Sequence, residues 1–182
     1  MLRYRSAKAL KQVLSLMRNK MKKNKTILTL LLLVVLSSLC FAEKITLWEQ
    51  KVNAQIEYQK LVADLSLKET PELEEIIIIS RDLQITMYKM KREKYLYLIS
   101  HHPKRIDPDN DLNFEWTDED EKTLLELSKY YKSLKTKKKE FKTKNQSHPM
   151  WPALRESFVK IRETEEYKKI YKNLIEVLKR EQ

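Results

Sequence analysis

Hydrophobic and polar positions fall into five stretches along this chain: one nearly continuous apolar run, then four long stretches of helical period. The apolar run, Ile27 to Leu36, follows Lys22, Lys23 and Lys25 and leads into small and polar residues ending at Ala42. A basic start, a short apolar centre and small residues at the end form the layout of a secretory signal peptide. The expected leader is therefore 21–42, with cleavage between Ala42 and Glu43.

The first helical stretch covers residues 45–67. Ile45, Trp48, Val52 and Ile56 form one stripe, and Leu47, Ala54, Tyr58, Leu61 and Leu65 form another. Two apolar faces predict cover from more than one side. Thr70 as N-cap and Pro71 at the first helical position open a second helix over 71–100, with Glu72 and Glu74 favouring the dipole. Ile76, Ile79, Leu83, Met87 and Met90 keep its period. The β-branched run Ile76–Ile79 would also suit a buried strand, but flanking Glu-rich and Lys/Arg-rich turns favour helix.

Residues 101–116 interrupt the pattern. Pro103 and Pro108 exclude a helix interior, and Asp107, Asp109, Asn110 and Asp111 favour turns. Phe114 and Trp116 predict that the second half of this loop packs onto the body. Thr117 then caps a third helix over 117–144, acidic at its start and lysine-rich at its end, whose seam fades near Leu134. A fourth covers 152–179, with Pro152 near its first turn. The stripe Leu154, Phe158, Ile161 does not align with Tyr167, Ile170, Tyr171, Leu174, Leu178. The polar stretch Arg162–Glu166 between them predicts either a bend or two packing partners. The expected fold class is all-α: four long helices packed as antiparallel hairpins in a helical bundle, one domain over 43–182, after an N-terminal signal segment.

Net charge changes meaning once it is mapped. The total is +11, but residues 1–42 hold nine Lys and Arg and no acidic residue. Residues 43–182 carry 28 basic against 26 acidic residues, which projects little long-range field toward DNA or RNA. Residues 1–20 are basic and weakly amphipathic. They are expected to be an extended basic region or a start assigned too early, with Met21 giving a leader of ordinary proportions. The charge-free window Thr26–Ala42 would span about 25 Å as a helix, short of the roughly 30 Å hydrocarbon core, so retention as an anchor is the secondary reading.

Cys40 is the single cysteine and lies inside the leader. Leu39 before it and Ser37 behind invert the order that an acylated lipobox cysteine wants, so a cut after Ala42 is preferred. A chain beginning at Glu43 has no thiol for disulfides, metals or nucleophilic attack. The chain also has no glycine. Phosphate-cradling loops, dinucleotide fingerprints and nucleophile elbows depend on it, which argues against those enzyme architectures.

Two constellations remain. The loop resembles EF-hand ligand spacing, with Asp107, Asp109 and Asp111 at the first three positions and Glu115 and Asp118 at the ninth and twelfth. Leu112 occupies the position that needs glycine, and the prolines spoil the entering helix, so a solvated turn is the competing reading. The second is Lys135, Lys137, Lys138, Lys139 and Lys142. Thr136–Thr143 has the basic-residue order proposed for heparin-type polyanions, and Lys135, Lys138 and Lys142 share a helix face. Favourable charge at a helix C-terminus is the competing reading. His101, His102 and His148 sit beside prolines with no ligand spacing around them.

The expected function is an exported, non-enzymatic helical binding protein of the cell envelope or surface, acting through protein–protein or polyanion contacts. It would need no cofactor or nucleic acid, and it would work in the periplasm or at the cell surface. Alternatives are an envelope scaffold anchored by a retained leader, and a small-ligand or lipid carrier with an interhelical pocket.

Overall fold

The computed structural model describes the backbone of residues 25–106 and 114–179, and the side chains of 46–106 and 114–179. Two compact units divide the chain, residues 1–45 and 46–182. The described residues are all-helical, in keeping with a helical bundle, and contain no strand. Six α-helices occur among them: α1 Lys25–Glu69, α2 Glu74–His101, α3 Asp118–Leu127, α4 Lys129–Ser147, α5 Trp151–Arg162 and α6 Glu165–Leu178. Short 3-10 turns, Pro71–Leu73 and Pro103–Arg105, precede and follow α2. The leader side chains, Ala42 and Glu43 included, lie outside the described residues, and so do Asp107, Asp109 and Asp111.

Three boundaries differ from the sequence reading. The first helix does not begin at residue 45 but runs unbroken from Lys25. The third is two helices, because Ser128 steps into extended backbone (φ −119°, ψ 104°) and its hydroxyl oxygen accepts from the Tyr131 amide at 3.0 Å. Ser128 thus ends α3 and caps α4, the competition between side chain and helical backbone that serine offers. The fourth is also two helices, α5 and α6, separated where the polar stretch predicted a bend. Thr164 caps α6 by accepting from the Tyr167 amide at 3.2 Å.

Thr70 departs from its expected role. Its hydroxyl donates to the Ser66 carbonyl at 2.9 Å and makes no side-chain cap. It also meets the Ser157 hydroxyl at 3.1 Å, which joins the end of α1 to α5. The Ile76–Ile79 run is helical, and its first two residues are fully buried.

Without glycine, α2, α3 and α4 end by leaving helical backbone at negative φ, Ser128 and His148 in the extended region. His102, Ser128 and His148 are the last-turn exits, and no described residue has positive φ. The exit amides of His102 and Ser128 still bond to the helix at 2.7 and 2.9 Å. Pro103 and Pro149 then forbid continuation.

Two apolar clusters join the described helices of the second unit. Met90, Tyr97, Leu98, Leu124, Tyr131 and Leu134 join α2, α3 and α4, with Phe114 and Trp116 packed against them. Ala63, Leu73, Ile76, Ile77 and Leu154 join α1, α2 and α5. Burial of each large aliphatic side chain contributes roughly 1.5–3 kcal/mol. Trp48, fully buried, stacks on Tyr95 with centroids 3.9 Å apart and rings nearly parallel. The seam of α4 continues past Leu134, for Phe141 is half-buried and buried Asn145 bonds through its amide to Ser80.

Candidate polyanion-binding groove

The groove is assembled from the start of α3 outward. Thr117 and Asp120 form a capping box in which each side chain bonds the other's backbone amide. Buried Asp120 also takes both terminal nitrogens of Arg105. Arg105 reaches the Glu115 carbonyl at 3.1 Å, and Ile106 and Phe114 form an isolated antiparallel bridge. These contacts hold Arg105 and Ile106 against Phe114, Glu115 and Asp120, and so set Trp116 beside α3. The Arg105 guanidinium beside Asp120 holds its carboxyl well below the usual carboxylate range; burial opposes this and Thr117 reinforces it.

Glu121, one residue further, gathers four donors from three places: α2, α4 and the loop before α3. Its carboxylate accepts from Trp116 Nε1 at 2.9 Å and from the Tyr131 hydroxyl at 2.7 Å. Lys135 Nζ lies 2.8 Å away on one oxygen and Lys94 Nζ 3.3 Å on the other. Burial pushes this carboxyl up, but Lys135, Tyr131, Trp116 and Lys94 together bring it down to about 2. Burial, and then the Glu121 bond, push the Tyr131 phenol far above its ordinary range.

Around this hub opens a groove of about 800 Å³ lined by Lys94, Trp116, Lys135, Lys138, Lys139 and Lys142, among others. Lys94 sits over the Trp116 ring, 4.5 Å from its centroid, a cation–π contact. Burial pushes the Lys94 ammonium below its ordinary range; Glu121 opposes this, and the charges of Lys138 and Lys135 add to the push. Like charges therefore converge here. Among the described residues, Lys138, Lys139 and Lys142 have no acidic partner at ion-pair distance.

The five lysines singled out by sequence divide in the structure. Lys135, Lys138, Lys139 and Lys142 line the groove, as three- and four-residue spacing on one helix requires. Lys137 faces a different depression, lined also by Lys60, Lys89, Leu134 and Phe141. The linear order of basic residues therefore groups side chains that α4 separates. Lys94, Trp116 and Glu121 escaped sequence reasoning because they come from α2, the loop and α3, and nothing in their spacing links them to α4.

Of the calcium candidates inside the described residues, Glu115 and Asp118 are both exposed. Asp118 is in the first turn of α3, and Glu115 engages Arg105 through its backbone. Among the described residues no group of three or more His, Cys, Asp or Glu is placed to hold a metal ion. His101 stacks on Tyr97, while His102 and His148 lie 3.8 and 3.5 Å from Asp120 and Glu75. Among the residues with described side chains, no helix is long and apolar enough to cross a membrane; the run Ile27–Leu36 lies outside them.

Comparisons of this chain with protein-family models, curated proteins and solved structures find no match.

Proposed function

We propose that this chain is an exported, non-enzymatic helical binding protein that engages polyanions at the lysine groove of α2, α3 and α4. One observation carries the reading. Lys138, Lys139 and Lys142 line a groove in which Glu121 already occupies Lys94 and Lys135. Glu121 and Trp116 hold those two lysines in place, leaving the other three ammonium groups for a ligand. Neighbours at three- and four-residue spacing lie about 5–6 Å apart at their Cβ atoms, inside the roughly 8 Å screening length of physiological salt. They act on a repeating anion as one patch, which a scattered set of surface lysines does not.

The ligand class is a flexible chain of sulfates or phosphates, such as a sulfated polysaccharide of an envelope or host surface. Lysine suits it, because a compact charge on a mobile stem can follow irregular anion spacing. Export rests on the leader layout of residues 21–42, and the antiparallel hairpin packing and cell-surface location belong to the same reading.

The test uses the full chain with fluorescein-labelled heparin and with neutral dextran as the control polymer. Heparin binds, dextran does not, and reversing Lys138, Lys139 and Lys142 to Glu weakens heparin at least about tenfold. Unchanged heparin affinity in that variant rejects the groove as the site.

A further inference from the structure

A separate chamber of about 450 Å³ shares no lining residue with the lysine groove. Its volume falls within the roughly 300–1,000 Å³ of small-molecule sites. The lining is of two kinds. Trp151 and Phe158, both half-buried, supply an aromatic surface over the buried Val62 and Ile77, while Tyr58, Tyr167, Arg81 and Arg162 supply donors.

The donors are unequally engaged. Arg81 is paired with Asp82 at 2.9 Å, so its charge is already met. Among the described residues Arg162 has no acidic partner, yet its charge is felt at Tyr58. The hydroxyls of Tyr58 and Tyr167 lie 2.7 Å apart. One of their two protons makes that bond, and the other is free to donate. Burial first, and then the Tyr167 bond, push the Tyr58 phenol far above its ordinary range, so the Tyr58 proton stays in place at physiological pH.

We propose that this chamber binds an amphipathic monocarboxylate of the medium-chain fatty-acid class. The chain lies against Trp151 and Phe158, and the carboxylate is taken by Arg162 and the spare proton of the Tyr58–Tyr167 pair. One unpartnered guanidinium beside one spare hydroxyl proton matches a single negative charge with two acceptor oxygens. A neutral alcohol leaves Arg162 unmatched, and a dianion lacks a second free cation. The occupant would bridge α1, α5 and α6, which carry Tyr58, Arg162 and Tyr167. The inference stands apart from the polyanion reading, because neither surface depends on the other.

Calorimetry of the full chain with decanoate and with decanol tests it. Decanoate is expected to bind one to one and decanol roughly tenfold more weakly, the scale of one charge-assisted hydrogen bond. Arg162→Gln should lower decanoate affinity roughly tenfold, to the level of decanol. Arg162→Lys should retain most of it, and Tyr58→Phe should lose part. Lys138→Gln, in the other groove, should change nothing. Circular dichroism confirms that each variant is folded; Arg162 is exposed and tolerates replacement. Absence of binding to folded wild type at about 1 mM decanoate overturns the proposal. Equal affinity of Arg162→Gln and wild type overturns it too.

Discussion

Tyr131 on α4 donates its hydroxyl proton to Glu121 on α3 across 2.7 Å, bridging the helix break at Ser128. The bond fixes the angle between two helices that the sequence pattern reads as one. It also places a carboxylate among five lysines, so the same contact serves the fold and shapes the groove.

Removing that bond tests its structural part. Tyr131→Phe keeps the buried ring and deletes the hydroxyl, leaving Glu121 one donor short. A hydrogen bond to a charged group contributes about 1.5–3 kcal/mol, so the urea midpoint should fall by an amount in that range. An unchanged midpoint would show that the bond does not tie α3 to α4.

Glu121→Gln separates stability from binding. It removes the charge that holds Lys94 and Lys135, so the fold should lose stability while heparin binds more tightly. The gain should be about threefold to tenfold near 50 mM salt and shrink as salt rises. Opposite signs in the two measurements are the signature. Weaker heparin binding in a folded Glu121→Gln protein would show that the carboxylate assists the ligand.

Acid should destabilise the bundle in a defined window. The folded-state carboxyls of Asp120 and Glu121 titrate below their ordinary values of 3.8 and 4.5, with Glu121 at about 2. The unfolded chain therefore binds more protons in that window, and stability falls as pH falls. Their contribution is full above about pH 5 and is lost from about 4.5 down through 2. Urea midpoints at about pH 7, 4.5, 3 and 2 should decline most across the last two steps, and less steeply in Glu121→Gln.

Core and cap substitutions should differ in scale. Leu154 is fully buried where α5 meets α1 and α2, so Leu154→Ala should cost about 2–5 kcal/mol. Thr164→Ala deletes the α6 cap and the hydroxyl's bond to the Ile161 carbonyl, and should cost about 1 kcal/mol. A Thr164→Ala loss as large as that of Leu154→Ala would contradict this ranking of cap against core.

Helical period and cap chemistry made much of this fold legible in the sequence. Thr117 does cap a helix, Pro152 does sit in the first turn of α5, and Arg162–Glu166 does interrupt the last segment. Ser128 was hidden because the spacing Leu124, Leu127, Tyr131, Leu134 continues across it as though the helix were whole. Thr70 misled because its hydroxyl bonds back one turn to the Ser66 carbonyl and meets the Ser157 hydroxyl, and the second of these partners is distant in sequence. Half of the groove was readable, since spacing on one helix groups Lys135, Lys138, Lys139 and Lys142. The half supplied by Lys94, Trp116 and Glu121 is a tertiary product, as is the meeting of Tyr58 with Tyr167.

The salt dependence of heparin affinity tests the central claim most directly, because each ion contact adds a fixed increment to the slope. With roughly 0.7–0.9 per contact, the three free lysines should contribute a slope of about 2–3 in log affinity against log salt. Neutralising Lys138, Lys139 and Lys142 to Gln should remove that amount, while Lys137→Gln leaves the slope unchanged. A slope that survives the triple substitution, or falls as much with Lys137 alone, would contradict a polyanion site in this groove.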